Sequence, residues 1–288
     1  MADSPRVARD IPFTRQPAGH GTRWLAQSYA MFARARMHWA VLLLAYYAVL
    51  LVAEFVPLIG VLAAPVLKPV FAVGFLAAAW TQERGQMPGI HLLFRGFRAN
   101  VWALVLLGVV YAVGITVAIS ASQFVDGGKL FALISARVPA DVDQEVAAQR
   151  LSETLVDPQV QLGMIVGALC AIPTLFALWW APALVVFQDA SAATALSTSL
   201  RAALANWRPM LRYALTAFFF GGLLPTVVGT LIALFIPPPV GRALALALML
   251  PYVFFFVATL HISDYVSYRD VFHAGESLAP IAGSSAHA

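Results

Sequence analysis

Long apolar runs alternate along the chain with short polar stretches that carry arginine. A helix that crosses a bilayer needs about 20 mostly apolar residues, since each residue rises only about 1.5 Å. Six segments reach that length, at residues 39–59, 61–80, 101–124, 160–187, 211–236 and 241–265. The first two meet at Ile59, Gly60 and Val61, and the last two at Pro237, Pro238 and Pro239, so each pair is expected to form a tight hairpin. Pro173 and Pro182 inside the fourth segment predict a kink or tilt there. The expected fold is an all-α integral membrane bundle of six transmembrane helices.

The polar stretches have a pattern of their own. SYAMFARARMHWAVLL, HLLFRGFRANVWALVLL and SLRAALANWRPMLRYAL each place an apolar stripe, then arginine, then tryptophan ahead of two spanning segments. Phe32 and Trp39 are seven residues apart, as are Leu200 and Trp207, while Phe94 and Trp102 are eight apart. The chain can be read as three copies of an amphipathic helix followed by a hairpin, or as three ordinary interfacial anchors. In the second stretch Ile90, Leu93, Phe94 and Phe97 would share one helical face, opposite His91, Arg95 and Arg98. In the third, Ala193, Leu196, Leu200, Ala203, Leu204 and Trp207 would share a face, opposite Thr194, Thr198, Arg201 and Arg208. Such helices are expected to lie in the cytoplasmic interface with their bases towards anionic headgroups. That makes Arg34, Arg36, Arg95, Arg98, Arg201 and Arg208 candidate lipid contacts.

Composition fixes the class. A chain that is 61% hydrophobic and 11% charged, with a mean hydropathy of +0.80, is far too apolar for a soluble domain of 288 residues. The polar, arginine-bearing N-terminus has no signal-peptide pattern, so no cleaved presequence is expected. Of the Lys and Arg residues, 13 fall on the side of the termini and 5 on the other, which predicts cytoplasmic termini in a bacterial inner membrane. The net charge of +4 is explained by this asymmetry, and no nucleic-acid motif accompanies it. Residues 1–22 are then a polar cytoplasmic tail and 23–268 a single transmembrane domain. Within that domain 125–159 is an acidic extracytoplasmic insertion, and 269–288 follow as a disordered cytoplasmic tail.

FVPLIGVLAAPVLKPVFAVGFLAAA, LLFRGFRAN, VDGG and WWAPALVVFQDASAATALSTSLRAALANWRP resemble the BPSS-type family of proteobacterial multi-spanning inner-membrane proteins, over most of residues 24–265. The resemblance implies a multi-spanning inner-membrane protein and brings with it no activity, cofactor or catalytic residue.

The residues themselves offer no recognisable catalytic set. GxSxG, HExxH and Walker sequences are all missing, and the lone Cys170 excludes a disulfide within the chain. His38 and His261 lie near cytoplasmic boundaries, where two interfacial histidines are favoured over haem ligation. His261 and Asp264 in LHISDYVSYRD are three apart on one helix and could share a hydrogen bond, but they read as a polar patch at a helix end. Gly221, Gly222 and Gly229 around Pro225 suit close helix packing or, less well, a substrate path.

Ionisable groups inside spans are expensive and count as functional candidates. Glu54 and Lys68 each lie seven residues from Val61, so they are expected at matching depth as an ion pair in the first hairpin. Lys68 could instead snorkel towards the outer interface, or the Pro65-to-Pro69 stretch could be a re-entrant segment rather than helix. The sequence thus points to a non-enzymatic protein, without cofactor or metal, that interacts with anionic lipids or assembles with other membrane proteins or copies of itself. A small-solute transporter with a path near Glu54 and Lys68 is the alternative.

Overall fold

The computed structural model describes residues 11–55, 59–135, 144–237 and 239–274; within helices, the side chains of Glu54, Ile134 and residues 59–64, 144–148 and 150 lie outside the description. Among the described residues the chain is all-helical. In order come α1 (His20–Arg34), α2 (Arg36–Glu54), α3 (Ile59–Glu83), a 3₁₀ helix (Ile90–Arg98), α4 (Val101–Asp126), α5 (Lys129–Ser135) and α6 (Gln144–Val156). They are followed by α7 (Pro158–Leu178), α8 (Ala181–Phe187), α9 (Ala192–Ala205), α10 (Trp207–Phe218), a π turn (Phe219–Leu223), α11 (Leu224–Phe235) and α12 (Val240–Phe272).

Among the described residues five stretches are long and apolar enough to cross a membrane: Arg36–Ala53, Val101–Asp126, Pro158–Phe187, Trp207–Phe235 and Val240–Phe272. The expected second span is not one of the five. It falls on α3, which is helical for 25 residues with Pro65 and Pro69 inside it, so the stretch around Lys68 is not an irregular re-entrant segment. The expected kink in the fourth segment lies between α7 and α8, at Trp179 and Trp180, with Pro182 in the first turn of α8. Proline suits that position, since the first N–H groups of a helix have no partner within it.

The fifth segment is interrupted by a π turn for a related reason. A π turn pairs each carbonyl with the N–H five residues on, and for Phe220 that residue is Pro225, which has none. The Phe220 carbonyl instead accepts from the Tyr252 hydroxyl of α12 at 2.7 Å. Of the three glycines expected to pack here, Gly221 does so: a Cβ there would stand 2.3 Å from the Phe256 ring, whereas Gly229 faces open space.

The chain forms two compact units, Met1–Gly108 with Ala177–Ala288, and Val109–Phe176. In the second unit the turn after α4 is built by VDGG. Gly127 and Gly128 take φ of +64° and +89°, which glycine adopts without strain. The buried Asp126 carboxylate accepts from the N–H groups of Gly128 at 2.7 Å and Leu130 at 3.1 Å. Asp126 is therefore a cap for α5 rather than part of an acidic surface. Lys129 pairs with Asp157 at 2.6 Å and, together with the N–H of Gln159, holds that carboxyl below its ordinary value. Asp141 and Asp143 of the expected acidic cap lie outside the described residues.

In the first unit the short helices follow a cyclic order. Each lies on the helix that precedes it, taken cyclically along the chain: the 3₁₀ helix on α3, α9 on α8, and α1 on α12, where it also meets α10. Between helices in lipid there is little hydrophobic drive, so contact depends on small residues that let backbones approach. A Cβ on Gly96 would stand 2.0 Å from the Val70 carbonyl oxygen, and one on Gly74 would stand 2.5 Å from that of Leu93.

The second and third stretches pack on faces that the sequence pattern does not single out. The second stretch is a 3₁₀ helix, in which residues three apart eclipse one another. It buries Leu92, Leu93 and Gly96, while Ile90, Phe94 and Phe97 are 42–46% exposed. α9 buries its small and polar residues Ala192, Ala195, Thr198, Ser199, Ala202 and Ala203 and leaves Leu204 more than half exposed, as is Trp207 at the start of α10. This is what a lipid surround favours, with large apolar side chains outward and small ones between helices. Gly96→Val is expected to lower thermal stability in detergent by about 1–3 kcal/mol, because the 3₁₀ helix cannot approach α3 without backbone movement. A variant as stable as the parent would show that this contact is not made.

Candidate functional site

The polar side chains of the first unit converge on the last three turns of α12. Ser263 donates to the Leu260 carbonyl at 2.7 Å and accepts from the buried Tyr213 hydroxyl of α10 at 2.6 Å. Tyr265 donates to Glu83 at the end of α3, and Arg269 forms an ion pair with the same carboxylate. Arg269 also donates to Gln27 of α1 at 3.2 Å. Ser267 accepts from the Trp180 indole at 3.1 Å, and the Trp180 backbone N–H donates to Ser199 of α9 at 3.0 Å. Gln188 and the Tyr268 hydroxyl meet His273 Nε2 at 3.1 and 3.0 Å.

Asp270 is the densest node. One oxygen, Oδ2, accepts from Trp24 Nε1 at 2.7 Å and from His20 Nδ1 at 2.8 Å. Beside it the extended segment 11–17 is strapped across the helix end. Thr14 donates from N–H to the Val271 carbonyl at 2.8 Å, and Gln16 Nε2 donates to the Asp270 carbonyl at 2.7 Å. The last carbonyls of a helix have no partner of their own, and the strap supplies donors to them. Asn206, in the break between α9 and α10, holds the other edge: its Oδ1 accepts from the Gln16 N–H at 2.8 Å and its Nδ2 donates to the Thr14 carbonyl at 3.0 Å. Residues 11–22, expected as part of a polar tail, are thus docked, and the boundary expected at residue 268 falls inside α12. Residues 1–10 and 275–288 of the two expected tails lie outside the described residues.

The candidate ion pair cannot be drawn, because the Glu54 side chain lies outside the described residues. Lys68 is exposed on α3. Among the described residues no hydrogen bond joins His261 to Asp264. His261 instead stacks on Phe75, with ring centroids 4.0 Å apart, and meets the edge of Tyr46 at 6.1 Å. A groove of about 220 Å³ lined by Met37, His38, Val41, Pro88, Gly89 and Ile90 lies away from all of these charges.

The candidate lipid-contacting bases lie at the short helices and their breaks. Arg34 and Arg36 flank Ala35 between α1 and α2, Arg95 and Arg98 end the 3₁₀ helix, and Arg201 and Arg208 lie on either side of Asn206. All are exposed except Arg95, which is half-buried. Sequence reasoning found these bases and the polar patch at residues 261–264, but missed Asp270, Glu83, Gln16 and Asn206. Their signal is faint: the polar residues at the end of α12 recur on several faces, which a helix meeting partners on every side requires.

No family model matches the chain. No solved structure matches it. A probable inner membrane protein of Burkholderia thailandensis is 26% identical over 265 residues, covering 90% of this chain and 93% of that protein. The comparisons do not carry the BPSS-type assignment.

Asp270→Ala is expected to cost about 1–3 kcal/mol, since it strands the indole N–H of the buried Trp24. Trp24→Phe/Asp270→Ala should lose less than the sum of the two single losses, by denaturation in detergent. Strict additivity would mean that the bond contributes nothing. From five membrane-length helices and a membrane-protein relative of matching length, the chain is a membrane protein.

Proposed function

We propose that this is a bacterial inner-membrane protein with six spans and both termini in the cytoplasm, which acts without catalysis by holding anionic lipid headgroups around its terminus-bearing face. The observation that carries the reading is the company the exposed bases keep. Arg36 precedes Met37, which is 74% exposed; Arg98 is close in sequence to Trp102, 81% exposed; and Arg208 lies 5.5 Å over the ring of Trp207, 51% exposed. Bases beside outward-facing aromatic and large apolar side chains are what a lipid interface selects. The name of the Burkholderia relative supports the inner membrane, and the excess of bases on the terminal side supports the orientation. The polar groups of α12 are engaged in cross-links between helices, which favours an assembly or lipid role over chemistry.

A second reading, transport of a small solute, is favoured by one observation: Lys68 is exposed within α3, a 25-residue helix of mostly apolar side chains, where a charge in a membrane is costly. The two readings separate in one preparation. Native mass spectrometry of the protein released from mixed anionic and zwitterionic nanodiscs should show anionic lipids enriched, and replacement of the six candidate arginines by glutamine should remove the enrichment. No enrichment in the parent protein would reject the lipid reading. Ion or solute flux in proteoliposomes that stops in Lys68→Leu would establish the transport reading in its place.

A further inference from the structure

We infer that the seam between α1 and α10 is a discrete binding site for the phosphodiester of one anionic phospholipid, with Arg208 and Arg212 as its ligands and Thr22 as the residue that orients Arg212. The inference rests on the lipid reading above and narrows it from a basic face to one site. Arg212 was not among the bases that the amphipathic pattern selects, and Thr22 lies on a different helix.

The geometry starts at Gly21. A Cβ there would stand 2.0 Å from the Pro209 carbonyl oxygen and 2.6 Å from the Tyr213 nitrogen, so α1 and α10 touch backbone to backbone. That contact brings the Thr22 hydroxyl to Arg212, whose Nε donates to it at 3.2 Å. Thr22 is held in turn by Thr216, 3.4 Å away, and Thr216 donates to the Arg212 carbonyl at 2.7 Å. Tying down Nε fixes the plane of the Arg212 guanidinium and leaves its two terminal nitrogens free for an acceptor. Two parallel N–H groups match two phosphate oxygens, the arrangement in which arginine binds most strongly. Arg208 lies one turn earlier, and residues four apart on a helix are neighbours on its surface.

Among the described residues neither Arg208 nor Arg212 has a carboxylate within ion-pair distance, whereas Arg269 and Lys129 each have one. Both sites lie in the first two turns of α10, where the helix dipole also favours an anion. The surroundings select a lipid rather than a soluble anion. Trp207, Leu211 and Leu215 are 50–59% exposed on the same helix, an apolar surface for acyl chains below the headgroup. Two arginines without acid partners, one with its plane fixed, beside such a surface, complement a phosphodiester with two tails.

The test measures retention of phosphatidylglycerol by the full chain, using native mass spectrometry and titration in detergent. The parent protein should retain one phosphatidylglycerol per chain beyond the loosely held lipids. Arg208→Gln/Arg212→Gln should weaken that binding about 30-fold, from two surface charges. Arg15→Gln/Arg84→Gln, which removes the same charge from two exposed bases outside the candidate lipid contacts, should leave it within about 2-fold. Thr22→Val keeps every charge and should weaken binding several-fold through loss of orientation. Equal losses in the two double variants would overturn the discrete site while leaving the general lipid reading standing. Displacement of the retained lipid by millimolar inorganic phosphate would overturn the choice of a lipid ligand. If the Arg208→Gln/Arg212→Gln protein does not fold, Thr22→Val decides alone, and unchanged binding in it overturns the proposal.

Discussion

The last three turns of α12 are the constraint on which the first unit depends. A spanning helix normally ends by exposing its final carbonyls and a few interfacial side chains. Here the final carbonyls accept donors from the N-terminal strap, and successive side chains reach different helices: Tyr213 through Ser263, Glu83 through Tyr265 and Arg269, Trp180 through Ser267, and Trp24 through Asp270. Hydrogen bonds between helices matter more in this setting because lipid gives apolar surfaces no reason to associate. One helix end thus sets the positions of α1, α3, α10 and the start of α8.

The arrangement also explains the cyclic order of the short helices. Each is attached to the helix that precedes it in that order, by glycine contacts in the case of the 3₁₀ helix on α3 and by polar contacts in the case of α1 on α12. Attachment to the preceding helix leaves the other side of each short helix facing outward. Exposed bases and exposed large apolar residues follow the short helices in sequence, at Arg36 and Met37, at Arg98 and Trp102, and at Trp207 and Arg208, and this is the surface to which the lipid reading assigns a role.

Hydropathy made the spanning segments legible, since a run such as that in α4 admits no other fold in a chain this apolar. Prolines located the interruptions, at Pro182 directly and at Pro225 through the carbonyl it leaves unpaired. The faces of the short helices were not legible. The amphipathic reading grouped the large apolar residues on one face but did not identify the small-residue face, with Ala195, Thr198 and Ala202 in α9, on which the helix packs. Helix type mattered as well, because a 3₁₀ repeat of three moves Phe94 and Phe97 off the face that a repeat of 3.6 would give them. The polar node was hidden for another reason: Asp270 and Asn206 look like ordinary residues of a helix end and a loop, and only the fold brings Gln16 and Trp24 to them.

Hydrogen exchange of the full chain in lipid nanodiscs tests the central claim most directly. The end of a helix that leaves the membrane ordinarily frays and exchanges quickly, whereas a helix end tied on every side does not. The amides of residues 263–272 should fall in the slowest class of the protein, and those of 20–32 in α1 should exchange together with them. Fast exchange at 263–272 beside a protected middle of α12 would contradict the account, because the helix end would then be a free terminus rather than the point to which the others are fixed.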